Sequence, residues 1–386
     1  MSTTVTMTAP PTATLRLRPT SDSTPSAPSA ATSLPSPPLT RPATPRQQRE
    51  RYARPPTAHL DAYPSQRYMP ALGLTFERGI QLREFLNLPE DDPKKEALFE
   101  ELAYAISLNG VCFFPGQDLT PEELGQLALR LGRASGAPAD SALHIHPTAE
   151  LGENGRPTVG TISNMAGAMG RQISFKDERS DLASMGLHTD ISFENRPARY
   201  SMLRIHTLPP LGGNTTFTSS YAHYDMLSPA MKEFLSGLKA THSGAMFRKQ
   251  ARKHGFKLHL GPRGAPENVG DEFEATHPIV RTNAVTGFNS LFVNQTFTER
   301  IQGLSYDESR AILDYLFRLQ AQAHDAMMSY RWNQNDLAIW DNSVVEHGAL
   351  FDYTEARAGD RTVCVGEIPV FDPAGKSRKA TLNQAV

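Results

Sequence analysis

The stretch that most limits the fold of this chain is Val111-Cys112-Phe113-Phe114, closed by Pro115-Gly116. Four apolar side chains in succession read as a short strand of the fully buried type, because neither face offers water a polar group. Such a strand needs cover, and the sequence on either side supplies it. Before it, Asp92-Pro93-Lys94-Lys95 opens a helix, with Asp92 as the cap and Pro93 at the first helical position. Leu98, Leu102, Ala105 and Ile106 make the apolar stripe of that helix until Asn109-Gly110 ends it. After the strand, Thr120-Pro121-Glu122-Glu123 is a capping box, and Leu124, Leu127, Ala128 and Leu131 recur at helical spacing up to Gly132.

Beyond residue 190 the pattern changes to short strands punctuated by Pro and Gly, over residues 200–206 and 215–218, with final strands near 337–340 and 361–366. Two further helices are predicted. One is capped by Ser228-Pro229 and carries Phe234, Leu235 and Leu238; the other runs from about Asp307 to Met328. This order of elements agrees with an α+β class that is mainly β. No internal repeat is visible.

Order is expected from about Tyr68, giving a domain over residues 67–373 between an N-terminal tail, 1–66, and a C-terminal tail, 374–386. Up to about Pro56 the tail is Ser, Thr, Pro and Ala with Asp22 and Glu50 as its only acids, so it cannot bury enough apolar surface to offset its ordering entropy and is expected to be disordered. Its shortage of acids and supply of Arg and Ser are also those of a mitochondrial transit peptide, although its prolines would break the helix such a peptide forms.

Formal net charge is −2, and no basic patch argues for nucleic acid. No apolar run approaches the roughly 18 residues needed to span a bilayer, and the N-terminus lacks the apolar core of a secretory signal. Cys112 and Cys364 each lie in an apolar run and read as small buried hydrophobes rather than as a disulfide framework. A cytosolic, reducing location follows as the default.

The chemistry centres on Gly186-Leu187-His188-Thr189-Asp190 and on His347. A histidine and a carboxylate two residues apart on a strand project from one face, so His188 and Asp190 can bind one ion side by side. His347 adds a second imidazole. Two histidines and one carboxylate with the opposite positions open is the ligand set of non-haem Fe(II) oxygenases; a zinc enzyme or hydrolase can use the same trio. Downstream, Arg357 and Arg361 are four apart and share a face if the segment is extended. Their guanidinium forks suit a carboxylate or sulfonate, with surface ion pairs as the alternative.

Six blocks in order over residues 72–373 resemble the taurine and aryloxyalkanoate dioxygenase family of Fe(II)/2-oxoglutarate-dependent oxygenases, most of all its fungal sulfonate dioxygenase branch. They are Gly110-Val111-Cys112-Phe113-Phe114 with Asp118-Leu119-Thr120-Pro121-Glu122, Leu143-His144-Ile145-His146-Pro147, His188-Thr189-Asp190, Leu208-Pro209-Pro210-Leu211-Gly212-Gly213-Asn214-Thr215, Leu291-Phe292-Val293-Asn294, and Trp340-Asp341-Asn342 leading to His347. The resemblance implies a double-stranded β-helix, a jelly-roll core of two facing sheets with flanking helices. It implies Fe(II) on His188, Asp190 and His347, with 2-oxoglutarate and O2 as co-substrates. Thr215 and Arg357 correspond to the residues that hold 2-oxoglutarate, and His146 and Arg361 to those around the substrate's anionic group. The arginine pair matches only with a one-residue deletion after His347, so the reverse assignment of the two stays open.

The implied reaction hydroxylates a substrate C–H bond while 2-oxoglutarate becomes succinate and CO2. The expected partner is an anionic small molecule, with a sulfonate favoured and a carboxylate (aryloxyalkanoate or fatty acid) or purine as runners-up. A catalytically silent binding protein would normally have lost an iron ligand, and all three are present. Departures from the family pattern are Asn214 for Asp, Phe217 for Trp, Ala149 for Tyr, Ser184 for Asn and Leu187 for an aromatic. The last three point to a wider pocket than taurine needs. His144 and His206 carry no assigned role.

Overall fold

A computed structural model describes residues 55, 58–149, 160–163 and 182–382, all within one compact unit, Ala43–Val386. The predicted tail therefore lies outside the described residues up to residue 54 and at 56 and 57. Its last part is built into the domain earlier than the expected start at Tyr68: a short 3-10 turn, His59–Ala62, sets the backbone N–H groups of His59 and Leu60 on the carboxylate of Glu101, at 3.0 and 2.7 Å. Free N–H groups at the start of a helical turn need an acceptor, and a carboxylate is a strong one.

Fifteen strands, β1 to β15 in chain order, are found among the described residues. A seven-stranded sheet has the order β1 (Ser65–Arg67), β2 (Leu74–Phe76), β3 (Val111–Phe114), β13 (Asp336–Asp341), β5 (Ala198–Thr207), β15 (Ala358–Val365) and β4 (Gly160–Ser163). Its neighbours are antiparallel except the parallel pair β2 and β3. A second, antiparallel sheet has the order β12 (Met327–Tyr330), β6 (Thr215–Ser219), β14 (Val345–Ala349). Smaller sheets pair β7 (Lys239–Ser243) with β8 (Glu274–Pro278) and β11 (Thr298–Ile301), and β9 (Val280–Thr282) with β10 (Asn289–Leu291).

The apolar run of β3 is explained by what covers it. Val111 and Phe113 join Leu203, Ile205, Ala338 and Trp340 in a core shared with Phe217, Tyr330 and Val345 of the second sheet. Cys112 and Phe114, with Tyr200, Met202, Leu337 and Ile339, pack instead on the helices Pro93–Asn109 and Pro121–Ala134. Successive side chains of a strand point to opposite faces, so a strand between a sheet and a helix layer must be apolar throughout. Phe113 stacks on Tyr330 at 3.9 Å between ring centroids and meets Phe217 edge-on at 5.6 Å. Two facing sheets with helices outside make the jelly-roll arrangement expected.

Local signals set most helix ends. Asp92 accepts from the Lys94 N–H, and Gly110 leaves the first helix with φ 76°. The Thr120 box forms as expected, but its helix runs to Ala134 rather than stopping at Gly132, which lies under Cys364. The helix from Ser228 ends at Leu235, short of Leu238. The predicted helix from Asp307 to Met328 is corrected: it spans Tyr306–Gln322, and Met327–Tyr330 becomes β12 because Met328 pairs with Phe217 across the second sheet. The predicted C-terminal tail also contributes structure. Arg378, in the helix Arg378–Leu382, is buried and donates to the Leu108 carbonyl at 3.0 Å, an acceptor left over in the last turn of its helix. No helix of the described residues is long and apolar enough to cross a membrane.

Candidate active site

His347 sits on β14, and His188 joins it through an isolated bridge in which each backbone N–H donates to the other's carbonyl, at 3.0 and 2.9 Å. The expected strand over His188 to Asp190 is not formed. Only His188 is bridged, and the chain turns at Asp190, with Ile191 in the left-handed region at φ 49°. The bridge and the turn, not strand alternation, bring the two side chains together. Asp190 Oδ1 lies 3.5 Å from His188 Nε2 and 3.8 Å from His347 Nε2, and one ligand atom from each of the three residues falls within 4.8 Å of the others.

The donor set fits a divalent iron. Burial pushes the His347 imidazole down to about 3, so its ring nitrogen carries a free lone pair near neutral pH. Burial alone would push the Asp190 carboxyl up, but Arg361, and then His347 and His188, hold it well below the usual carboxylate range. His188 Nδ1 donates to the Gly186 carbonyl at 2.8 Å, which fixes the ring and turns Nε2 toward Asp190. Imidazole and carboxylate donors without a thiolate suit Fe(II).

Thr215 opens β6 opposite Ala349, two positions along β14 from His347, which faces Phe217. Residues paired across a sheet share a face, as do residues two apart, so Thr215, Phe217 and His347 look into the same interior. Phe217 and His347 rings are 6.3 Å apart. Arg357 reaches Thr215 from the approach to β15: its Nε donates to the Gly213 carbonyl at 2.9 Å and its terminal nitrogen to Thr215 Oγ1 at 3.4 Å. Trp332 Nε1 donates to the same hydroxyl oxygen at 3.0 Å. Asp352 accepts from the Gly213 N–H at 2.8 Å and ties the two loops together. Burial lowers the Arg357 guanidinium's pKa, opposed by Tyr353.

Arg361 goes elsewhere. A bulge between Ala358 and Gly359 breaks the alternation of β15, and the Arg361 guanidinium contacts Asp190 Oδ1. His146 lies on the same side: burial, then His144 and Arg361, push its imidazole down to about 3. Its Nδ1 pairs with Thr148 Oγ1 at 2.8 Å and its ring meets Phe247 edge-on at 5.1 Å. His144 is buried against Glu194, itself held by Arg263, and His206 pairs with Thr207. Leu187 is buried and touches Gly348, whereas Ser184 lies in the 3-10 turn Ala183–Gly186. The expected wider pocket falls partly outside the described residues, since Ala149 adjoins 150–159 and Ser184 follows 164–181.

Trp332, Asp352 and Ser201 escaped the sequence reading. Ser201, which donates to Asp190, left a signal: it is a serine in the middle of the buried strand Ala198–Thr207, and a buried hydroxyl requires a partner.

Residues 73–365 match the family described as Taurine catabolism dioxygenase TauD, TfdA family. An alpha-ketoglutarate-dependent (2-oxoglutarate-dependent) dioxygenase, esdpJ, of Penicillium shearii is 34% identical over 364 residues, which cover 84% of this chain and 95% of that protein. An alpha-ketoglutarate-dependent sulfonate dioxygenase of Saccharomyces cerevisiae is 30% identical over 305 residues, 78% of this chain and 67% of that protein. Among solved structures, a taurine dioxygenase from Burkholderia xenovorans shares the fold with a TM-score of 0.58 and 24% identity, over 81% of this chain and 94% of that one.

Proposed function

The chain belongs to the taurine catabolism dioxygenase TauD, TfdA family, and from that premise we propose that it is an Fe(II)- and 2-oxoglutarate-dependent dioxygenase acting on an anionic small organic molecule, with a sulfonate favoured. The observation that carries this reading is the convergence of His188, Asp190 and His347 within 4.8 Å, beside two arginines with different destinations. Bound by these three residues, Fe(II) supplies the chemistry that couples O2 and 2-oxoglutarate decarboxylation to substrate hydroxylation.

The protein's own share is positioning and electrostatics. His347, neutral through burial, and ionised Asp190 offer donors that lose no proton on binding a cation at neutral pH. Arg357 and Thr215 bind the distal carboxylate of 2-oxoglutarate, the arginine supplying charge and the hydroxyl direction. Arg361 and His146 orient the anionic end of the substrate, which sets its reacting C–H bond toward the metal. If that carbon bears a sulfonate, the hydroxylated product collapses: its C–S bond breaks as the hydroxyl oxygen becomes the carbonyl of an aldehyde, and the sulfur and the proton leave as bisulfite. Two buried thiols without disulfide partners, Cys112 and Cys364, support a reducing compartment, the cytosol.

The test is iron-dependent succinate release with a panel of sulfonates, sulfate esters and carboxylates, run on wild type and on His188→Ala, Asp190→Ala and His347→Ala. Release with sulfonates that disappears in all three folded variants is expected. Turnover of carboxylates alone would replace the favoured substrate class, and full activity in any one variant would remove the site.

A further inference from the structure

The two carboxylate oxygens of Asp190 have different surroundings. Oδ1 faces Nε2 of His188 and His347. Oδ2 accepts from Ser201 Oγ at 2.5 Å. The Ser201 oxygen in turn accepts from Asn342 Nδ2 at 2.9 Å, and Asn342 Oδ1 accepts from the backbone N–H of Asp190, also at 2.9 Å. The bonds close a ring in which every donor points the same way round. Asn342 cannot flip its amide within it, because the NH2 would then face a backbone N–H. Asp190, Ser201 and Asn342 are all buried.

The ring draws on three separate parts of the fold. Ser201 lies on the inner face of β5 with Leu203 and Ile205, opposite Trp340 of β13, among apolar neighbours. A buried hydroxyl at such a place is destabilising unless it is hydrogen-bonded. Asn342 sits in the turn between β13 and β14, the strand that carries His347. Packing alone gives no reason for a serine facing an asparagine between two sheets.

We infer that Ser201, braced by Asn342, is a positioning residue that holds Asp190 to a single metal-facing oxygen. The inference rests on the metal site proposed above. A carboxylate with both oxygens free can close on a cation with two bonds, taking one more coordination position than a carboxylate with one oxygen engaged. Two imidazoles and a single carboxylate oxygen leave the opposite face of the ion open for the co-substrates. A second carboxylate oxygen would take one of those open positions away. Hydrogen bonds to metal ligands typically matter 10- to 100-fold in affinity or activity, which sets the scale expected here.

The experiment uses Co(II), whose visible spectrum reports coordination number, on wild type, Ser201→Ala, Ser201→Thr and Asn342→Ala, each then titrated with 2-oxoglutarate. Ser201→Ala is expected to bind Co(II) with an altered spectrum and to bind 2-oxoglutarate about tenfold more weakly or worse. Asn342→Ala, which opens the ring from another element, is expected to do the same. Ser201→Thr keeps the hydroxyl and should restore both readouts, which a purely structural loss at this position would not do. A wild-type spectrum and an unchanged 2-oxoglutarate affinity in folded Ser201→Ala or Asn342→Ala would overturn the inference while leaving the metal site standing. A wild type that takes up no Co(II) would overturn the metal site itself, and the ring's purpose with it.

Discussion

The guanidinium of Arg361 rests on Asp190 Oδ1, the oxygen that also faces the imidazoles of His188 and His347. Two cations therefore compete for one acceptor: the metal and the arginine. Asp190 is buried and Arg361 mostly so, and opposite unit charges about 4 Å apart attract by about 4 kcal/mol at an effective dielectric of roughly 20. Arg361→Gln removes that competitor. Divalent-metal binding is expected to tighten on the order of tenfold, equivalent to about 1.4 kcal/mol, in a Mn(II) or Co(II) titration. Equal or weaker binding would mean that the contact does not oppose the metal.

The separate destinations of the two arginines predict two separable defects. Arg357→Ala, which strips the charge beside Thr215, should weaken 2-oxoglutarate more than tenfold and leave substrate affinity nearly intact. Arg361→Ala should weaken the anionic substrate more than tenfold, since leaving a buried ion without its charged partner costs about 2–5 kcal/mol. Titrating each variant with both ligands decides the matter. Damage by Arg361→Ala to 2-oxoglutarate alone would reverse the assignment.

Gly213 combines φ 70° with a close approach, for a Cβ there would lie 3.0 Å from Arg357 Cδ. Gly213→Ala is expected to cost about 1–2 kcal/mol from the left-handed backbone and to push Arg357 off Thr215. Weaker 2-oxoglutarate binding with unchanged metal binding is the predicted signature. A variant with wild-type 2-oxoglutarate affinity would show that Arg357 does not need this loop.

Acid should destabilise the fold through histidines far from the metal ligands in sequence. Burial pushes His223 down to about 3 and His277 to about 4. Groups depressed in the folded state stabilise it fully above the unfolded value near 6.5 and lose that contribution as pH falls toward 3 to 4. By pH 5, about 1.5 units below the unfolded value, each costs about 2 kcal/mol at 1.36 kcal/mol per unit. Glu346 works the other way, because burial holds its carboxyl well above the usual range and it gains from acid. The net expectation is a melting temperature lower by roughly 5 °C at pH 5 than at pH 7.5, read by calorimetry. A higher melting temperature at pH 5 would mean that Glu346 dominates.

Sequence alone carried whatever rests on short-range chemistry. Asp92, Thr120 and Ser228 each accept a backbone N–H at the start of a helix, because a cap needs only its own next few residues. The apolar run of β3 announced a buried strand for the same local reason. The order of motif blocks was enough to point to the family and its jelly roll, and it singled out His188, Asp190 and His347 as one set.

Tertiary structure decided what depends on partners distant in sequence. Met327 and Met328 continue a helical pattern, yet pairing with Thr218 and Phe217 draws them into β12. His188 and Asp190 look like strand neighbours, but a bridge to His347 and a turn at Ile191 bring them together instead. Nothing near Ser201 in the chain indicates Asn342, and nothing near Arg361 indicates that it meets Asp190 while Arg357, four residues earlier, meets Thr215. Caps and apolar runs are fixed by interactions within a few residues and so can be read along the chain. The direction of a buried polar side chain is fixed by whichever donor or acceptor the packed sheets place beside it, and that is known only once the sheets have formed.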